Sequence, residues 1–310
     1  MKKILSVLMG LMIILLVACS NGEEDTTDED SGKMKVLTST TFITDLVSEI
    51  GGNNIEVEGL MGAGVDPHGY SPATSDILKL AEADTIVYNG LHLEANLVDV
   101  FEQIEENDTP TIILADAISS NQYLESEDGA LESDPHIWFS VPIWQNATQH
   151  VADALSTYDP ENAETYETNA ERYINELEEL DAYIRSRVEE IPADERYLVT
   201  AHDAFNYFGA EYGFDVVGIQ GLNTSTEAGT GDFSELADFI VEKDISAVFV
   251  ESSVSSRNID ALIEAVEARD HEISLGGELY SDSLGTSEEG TDTYISMYKH
   301  NVDTIVNALK

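Results

Sequence analysis

From Pro160 to Ile191 one helical pattern runs unbroken, and it limits what the rest of the chain can become. Apolar side chains fall at Ala163, Tyr166, Ala170, Tyr173, Ile174, Leu177, Leu180, Ile184, Val188 and Ile191. Steps of three and four residues line one face of a helix. Asp159 is placed to cap it, Pro160 suits a first helical position, and Pro192 stops it. About 30 residues at about 1.5 Å each reach roughly 45 Å, more than one small lobe spans. A helix of that length in mid-chain predicts a rigid strut joining two lobes.

The flanking sequence agrees. Short β-branched runs occur at 35–40, 55–60, 85–90 and 111–114, and again at 197–201, 215–219, 247–252 and 273–277. Helix-period stretches at 72–82, 92–106, 232–243 and 256–269 lie between them. Alternation of this kind predicts an α/β fold of parallel sheets with helices on both faces. The expectation is two lobes, each a four-stranded parallel sheet, over residues 34–158 and 192–310, with 159–191 as the linking helix.

The N-terminus belongs to neither lobe. "MKK" followed by "ILSVLMGLMIILLV" has the charged and apolar regions of a secretory signal over residues 1–18. "LVAC" then has the form of a lipobox, with Cys19 as the lipidated residue. Cys19 is the chain's single cysteine, so no intramolecular disulfide can form. Residues 19–33 are acidic and lack large apolar groups, which predicts a lipid-anchored tether. More than one acyl chain would hold the protein stably on the extracellular face of the cell membrane.

The formal net charge is −47, and removing residues 1–18 takes away two lysines and no acids to leave −49. Nucleic acid and anionic lipid headgroups are thereby disfavoured as partners. The acid is spread along the chain, as adaptation of a secreted protein to salt or alkali would require.

Two short segments carry the chemistry. "GVDPHGY" at 64–70 and "SDPHIWF" at 133–139 both spell Asp-Pro-His with an aromatic two residues later. With 7 Pro and 7 His in 310 residues, random placement predicts about 0.16 Pro-His pairs in the chain. His68 and His136 each sit in a strand-to-helix connection, the rim where open α/β sheets bind ligands. Proline stiffens the backbone before each imidazole, which suits a metal ligand, and the preceding Asp could hold a ring nitrogen from behind. His202 ends the strand at 197–201 and is the third candidate. A carboxylate from the last strand-to-helix loop would be the fourth, Asp282 or its competitor Glu278. His92, His150, His271 and His300 show no partner pattern.

These segments, with "AHDAFNYFGAEYGF", "AVFVESS" and "LYSDSLG", resemble the solute-binding lipoproteins of manganese/zinc ABC transporters over Met34 to Lys310. The resemblance implies two α/β lobes on one long helix with a metal buried between them. It carries the ligand positions onto His68, His136, His202 and Asp282. It implies no enzymatic activity. The expected partners are a membrane permease with a cytoplasmic ATPase, and a monomer is expected.

Three imidazoles and a carboxylate suit Zn2+ and also hold Mn2+. The acidic segment 119–134 lacks the histidines of zinc-specific relatives, and the similarity is strongest to the manganese-binding branch from Gram-positive bacteria. His202 stands where many manganese binders have glutamate. The expected cargo is Mn2+, with Zn2+ the alternative. A mononuclear metallohydrolase would need a general base at metal-motif spacing, such as H-E-x-x-H, and the chain has none. Nothing in the chain argues for an adhesin.

Overall fold

The computed structural model describes residues 32–126, 131–225 and 229–310. The predicted signal peptide, Cys19 and nearly all of the tether lie outside the described residues. Residues Met34–Lys310 form one compact unit.

The first half is built on β1 (Met34–Thr38), β2 (Ile55–Gly59), β3 (Thr85–Tyr88) and β4 (Thr111–Ile113). They form one parallel sheet in the order β2-β1-β3-β4. The chain reverses its direction of sheet growth between β1 and β3. A crevice opens outside the strand ends at such a reversal. Helices α1 (Thr41–Gly51), α2 (Thr74–Glu82), α3 (Val98–Glu106) and α4 (Val141–Tyr158) flank the sheet. Helix α1 follows the rule of its sequence, burying Phe42, Ile43, Leu46, Val47 and Ile50 on one face.

The long helix α5 runs over Ala163–Val188, 26 residues or about 39 Å. It starts later than the sequence predicts. Asp159 instead closes α4, its amide bonding to Leu155 O, and residues 160–162 turn the chain into α5. The Asp159 carboxylate accepts the Asn162 side-chain amide at 2.7 Å and the Tyr166 hydroxyl at 2.5 Å. A carboxylate engaged this way cannot cap a helix at Pro160. The predicted apolar face does form: Tyr166, Ala170, Tyr173, Leu177, Leu180, Ile184 and Val188 are buried.

Helix α5 touches both halves in turn. Near its start Asn169 donates to Ile50 O, and Arg172 pairs with Glu49 at 2.7 Å, both on α1. Near its end Arg187 and the Tyr183 hydroxyl reach Asp303 on the C-terminal helix α9 (Tyr294–Leu309), each at 2.7 Å. The exposed ion pairs contribute little individually. The continuous apolar face carries the strut's stability.

The second half departs from a single four-stranded sheet. β5 (Tyr197–His202) pairs in parallel with β6 (Asp215–Gln220), and β7 (Ala247–Glu251) with β8 (Ser274–Leu279), as two separate two-stranded sheets. β5 and β7 lie side by side without a ladder between them, so the spatial order β6-β5-β7-β8 repeats that of the first half. At the strand ends a side chain bridges the two pairs. The His202 amide, which a ladder would use, donates to the Glu251 carboxylate at 2.9 Å. Helices α6 (Asn206–Tyr212), α7 (Thr230–Lys243), α8 (Arg257–Glu267) and α9 complete this half. No helix among the described residues is long and apolar enough to cross a membrane.

Candidate metal centre

Each of the four predicted residues stands at a strand end or in the loop beyond one. His68 lies in the loop between β2 and α2, and His136 in the segment leading into α4. His202 is the last residue of β5, and Asp282 follows β8 by three residues. Their backbones are fixed locally. Asp66 Oδ1 accepts the His68 amide at 2.8 Å, and Asp134 Oδ1 accepts the His136 amide at 2.9 Å. Gly218 lets β6 press against the His202–Asp203 backbone, because a Cβ there would sit 2.4 Å from Asp203 N. Trp138 Nε1 donates to Ser281 O at 2.9 Å, tying the second histidine segment to the Asp282 loop.

The four side chains come together. One potential ligand atom from each of His68, His136, His202 and Asp282 lies within 4.8 Å of the others. His68 Nε2 and His136 Nε2 are 3.2 Å apart. Asp282 Oδ1 is 3.5 Å from His136 Nε2 and 3.9 Å from His68 Nε2, while Oδ2 is 3.3 Å from His202 Nε2. The cluster is sealed from solvent, with exposures of 2%, 0%, 0% and 1%. Buried polar groups at this density need partners, yet His68 Nδ1, His202 Nε2 and Asp282 Oδ1 have no hydrogen bond. Three ring nitrogens converging on one carboxylate form a donor set able to hold a cation.

Charge explains why the groups tolerate one another. Burial works against the His136 imidazolium, but Asp134 and Asp282 outweigh it and hold its pKa at about 9. His202 is likewise raised well above its ordinary value, with Glu251 and Asp282 overcoming burial. Burial pushes His68 down to about 3, with Asp282 opposing and the other two imidazoles assisting. Asp282 is held well below the carboxylate range because the imidazoles outweigh its burial. These directions favour the protonated forms of His136 and His202 and the neutral form of His68 in the metal-free cluster.

The expectation that each motif Asp holds its own imidazole is met once. Asp134 Oδ1 lies 2.7 Å from His136 Nδ1. Of His68, Asp66 engages only the backbone amide, and His68 Nδ1 is left without a hydrogen bond. The sequence reading missed Glu251. Its Oε2 lies 2.5 Å from His202 Nδ1, the contact that turns Nε2 toward the cluster. Glu251 stands at the C-terminal end of β7, and β7 lies beside β5 in the fold. Glu278 is exposed on β8, outside the cluster. His92 and His300 are exposed, and His271 and His300 bond backbone carbonyls. Cys19 lies outside the described residues.

Two sheet-bearing halves on one strut, enclosing a sealed cluster of side chains able to ligate a metal, have the architecture of a metal-binding protein. The sequence matches the family of the zinc-uptake complex component A, periplasmic (ZnuA), over residues 36–308. It is 41% identical over 305 residues to the manganese-binding lipoprotein MntA of Bacillus subtilis, covering 97% of this chain and 99% of that protein. It is also 41% identical over 278 residues to the zinc-binding protein TroA of Treponema pallidum, covering 90% and 89%. The solved structure of the Treponema protein matches this fold with a TM-score of 0.86, over 90% of this chain and 99% of that one. The chain belongs to the ZnuA family, metal-binding substrate-binding proteins of ABC transporters.

Proposed function

We propose that this protein captures Mn2+ outside the cell and delivers it to a membrane permease whose cytoplasmic ATPase drives import. His68, His136, His202 and Asp282 are its ligands. The observation that carries the reading is the sealed convergence of three imidazole nitrogens on one carboxylate. Charge balance supports a dication. An M2+ ion replacing the protons of His136 and His202 leaves the net charge of the buried cluster unchanged, which avoids a large desolvation cost.

Both oxygens of Asp282 face imidazole nitrogens, one toward His136 and His68 and the other toward His202. A carboxylate binding through both oxygens would raise the ligand number above four. That favours Mn2+, whereas Zn2+ is satisfied by four in a tetrahedron. Zn2+ is the second reading, favoured by the three imidazoles and by intrinsic affinity. Equal identity to a manganese-binding and a zinc-binding relative separates neither.

In this reading the lipid on Cys19 holds a monomer at the outer face of the membrane. The α5 strut, fastened to α1 and α9, restricts the movement that empties the site to a modest one. Calorimetric titration of metal-stripped protein with Mn2+ and then Zn2+, alongside His202→Ala, tests the proposal. One-to-one Mn2+ binding, sharply weakened in the variant, is the expected result. Zn2+ binding with negligible Mn2+ binding would move the assignment to zinc. Metal binding indifferent to the variant would refute the site.

A further inference from the structure

The two Asp-Pro-His segments share a second property that metal ligation does not require. In each, the aspartate uses its two oxygens on opposite halves of the molecule. Asp66 Oδ1 accepts the His68 amide at 2.8 Å, while Oδ2 accepts the Thr224 hydroxyl at 2.6 Å, from the segment after β6. Asp134 Oδ1 accepts the His136 amide at 2.9 Å, while Oδ2 accepts the Asn206 side-chain amide at 3.1 Å, from the start of α6. The Tyr207 hydroxyl adds a bond to Asp134 O at 3.1 Å. Thr224 and Asn206 are not among the clustered ligands. Asn206 also reaches Asp203 O at 3.4 Å, and Thr224 O accepts the Gln220 side-chain amide at 3.1 Å, but across the halves their side chains engage the two aspartates.

We infer that Asp66–Thr224 and Asp134–Asn206 are a pair of clasps. Through them, closure of the two halves fixes the backbone of each first-half histidine, and opening frees both. The inference rests on the assignment of His68 and His136 as metal ligands. It explains why proline separates aspartate from histidine. A stiff spacer transmits a pull on the carboxylate directly to the next residue, whereas a flexible one would absorb it. It also assigns a use to the aspartate of the first motif, which leaves His68 Nδ1 unbonded. Thr224 and Asn206 are therefore positioning residues for release, acting through Asp66 and Asp134.

The test is the release of Mn2+ and of Zn2+ from the loaded protein into excess chelator, followed by stopped flow in Thr224→Val and Asn206→Leu. Thr224→Val keeps the shape and removes the hydroxyl. A hydrogen bond to a charged acceptor sets the scale, and release should quicken by about tenfold in Thr224→Val, with association little changed. The metal-free variants should also exchange the His68 and His136 amide hydrogens faster than the wild type. Thermal stability of the metal-free protein is the control for a merely structural effect. Release and amide exchange equal to wild type in both variants would overturn the clasps while leaving the metal site standing. Faster release accompanied by a general loss of stability and uniform amide exchange would overturn them as well. Failure of the wild type to bind either metal would instead overturn the functional reading, and this inference with it.

Discussion

Replacing Asp282 by Asn removes the one carboxylate on which all three imidazole nitrogens converge. The substitution keeps the shape and one carbonyl oxygen, so packing around this fully buried position should hold. What changes is charge. Asp282 lies 3.3 to 3.9 Å from the Nε2 atoms of His202, His136 and His68. Removing one partner from a buried charge pair costs about 3–5 kcal/mol, and at about 1.4 kcal/mol per tenfold this is roughly a 140- to 4,000-fold loss of affinity. The loss should be larger for Mn2+, which prefers oxygen donors, than for Zn2+, which three imidazoles and a water can satisfy. Titration calorimetry in two buffers of different ionisation enthalpy reads both the affinity and the protons released. Asp282 supports the imidazolium forms of His136 and His202, so Asp282→Asn should also release fewer protons per metal. Wild-type affinity for both metals with unchanged proton release would refute the argument that charge, rather than shape, makes this site.

Metal affinity should tighten as pH rises from about 6.5 to 9, because a dication must displace the proton that His136 holds to about pH 9. The slope should approach tenfold per pH unit for each proton released. The sign reverses for the metal-free fold: a raised histidine pKa stabilises it fully below about 6.5, and that contribution fades as pH passes 9. A pH-independent dissociation constant would contradict this. Burial raises Asp45 to about 7 despite its bond from the Tyr294 amide at 2.9 Å. The folded state therefore holds a proton that the unfolded state loses near 3.8, and stability declines as pH rises from about 4 to 7. Asp45→Asn should raise Tm by a few degrees at pH 8 and leave it unchanged at pH 4, measured by calorimetric melting; an equal shift at both would contradict the cause. Trp138 packs edge-on to His136 with ring centroids 5.2 Å apart, whereas Trp144 stacks on Tyr294. Mn2+ should quench fluorescence in Trp144→Phe much as in wild type and far less in Trp138→Phe. The reverse pattern would place the metal elsewhere.

Local pattern determined a large part of this protein. Runs such as Lys35-Val-Leu and Ala247-Val-Phe-Val became strands near their expected ends, because β-branched residues favour extended backbone wherever both faces are buried. The stripe from Tyr166 to Val188 became the apolar face of the strut, since a 3.6-residue period is a property of the sequence alone. The repeated Asp-Pro-His pointed to His68 and His136 because proline fixes local backbone geometry without tertiary help.

Other features required the folded chain. Asp159 looked like the cap of α5 but closes α4, its carboxylate accepting from Asn162 and Tyr166 three and seven residues further on. The second half divides into two strand pairs, and Glu251 accepts the His202 amide from 49 residues away in the chain. Glu251 was hidden among 61 acidic residues, and only the side-by-side placement of β5 and β7 picks it out. Residue pattern alone left Asp282 and Glu278 open and the family resemblance pointed to Asp282; in the fold Asp282 is buried in the cluster while Glu278 is exposed. The partners of the motif aspartates, Thr224 and Asn206, lie 158 and 72 residues away. Periodicity and spacing record what a segment does with its own backbone, whereas which buried charge meets which is set by packing between halves, and no local pattern encodes that.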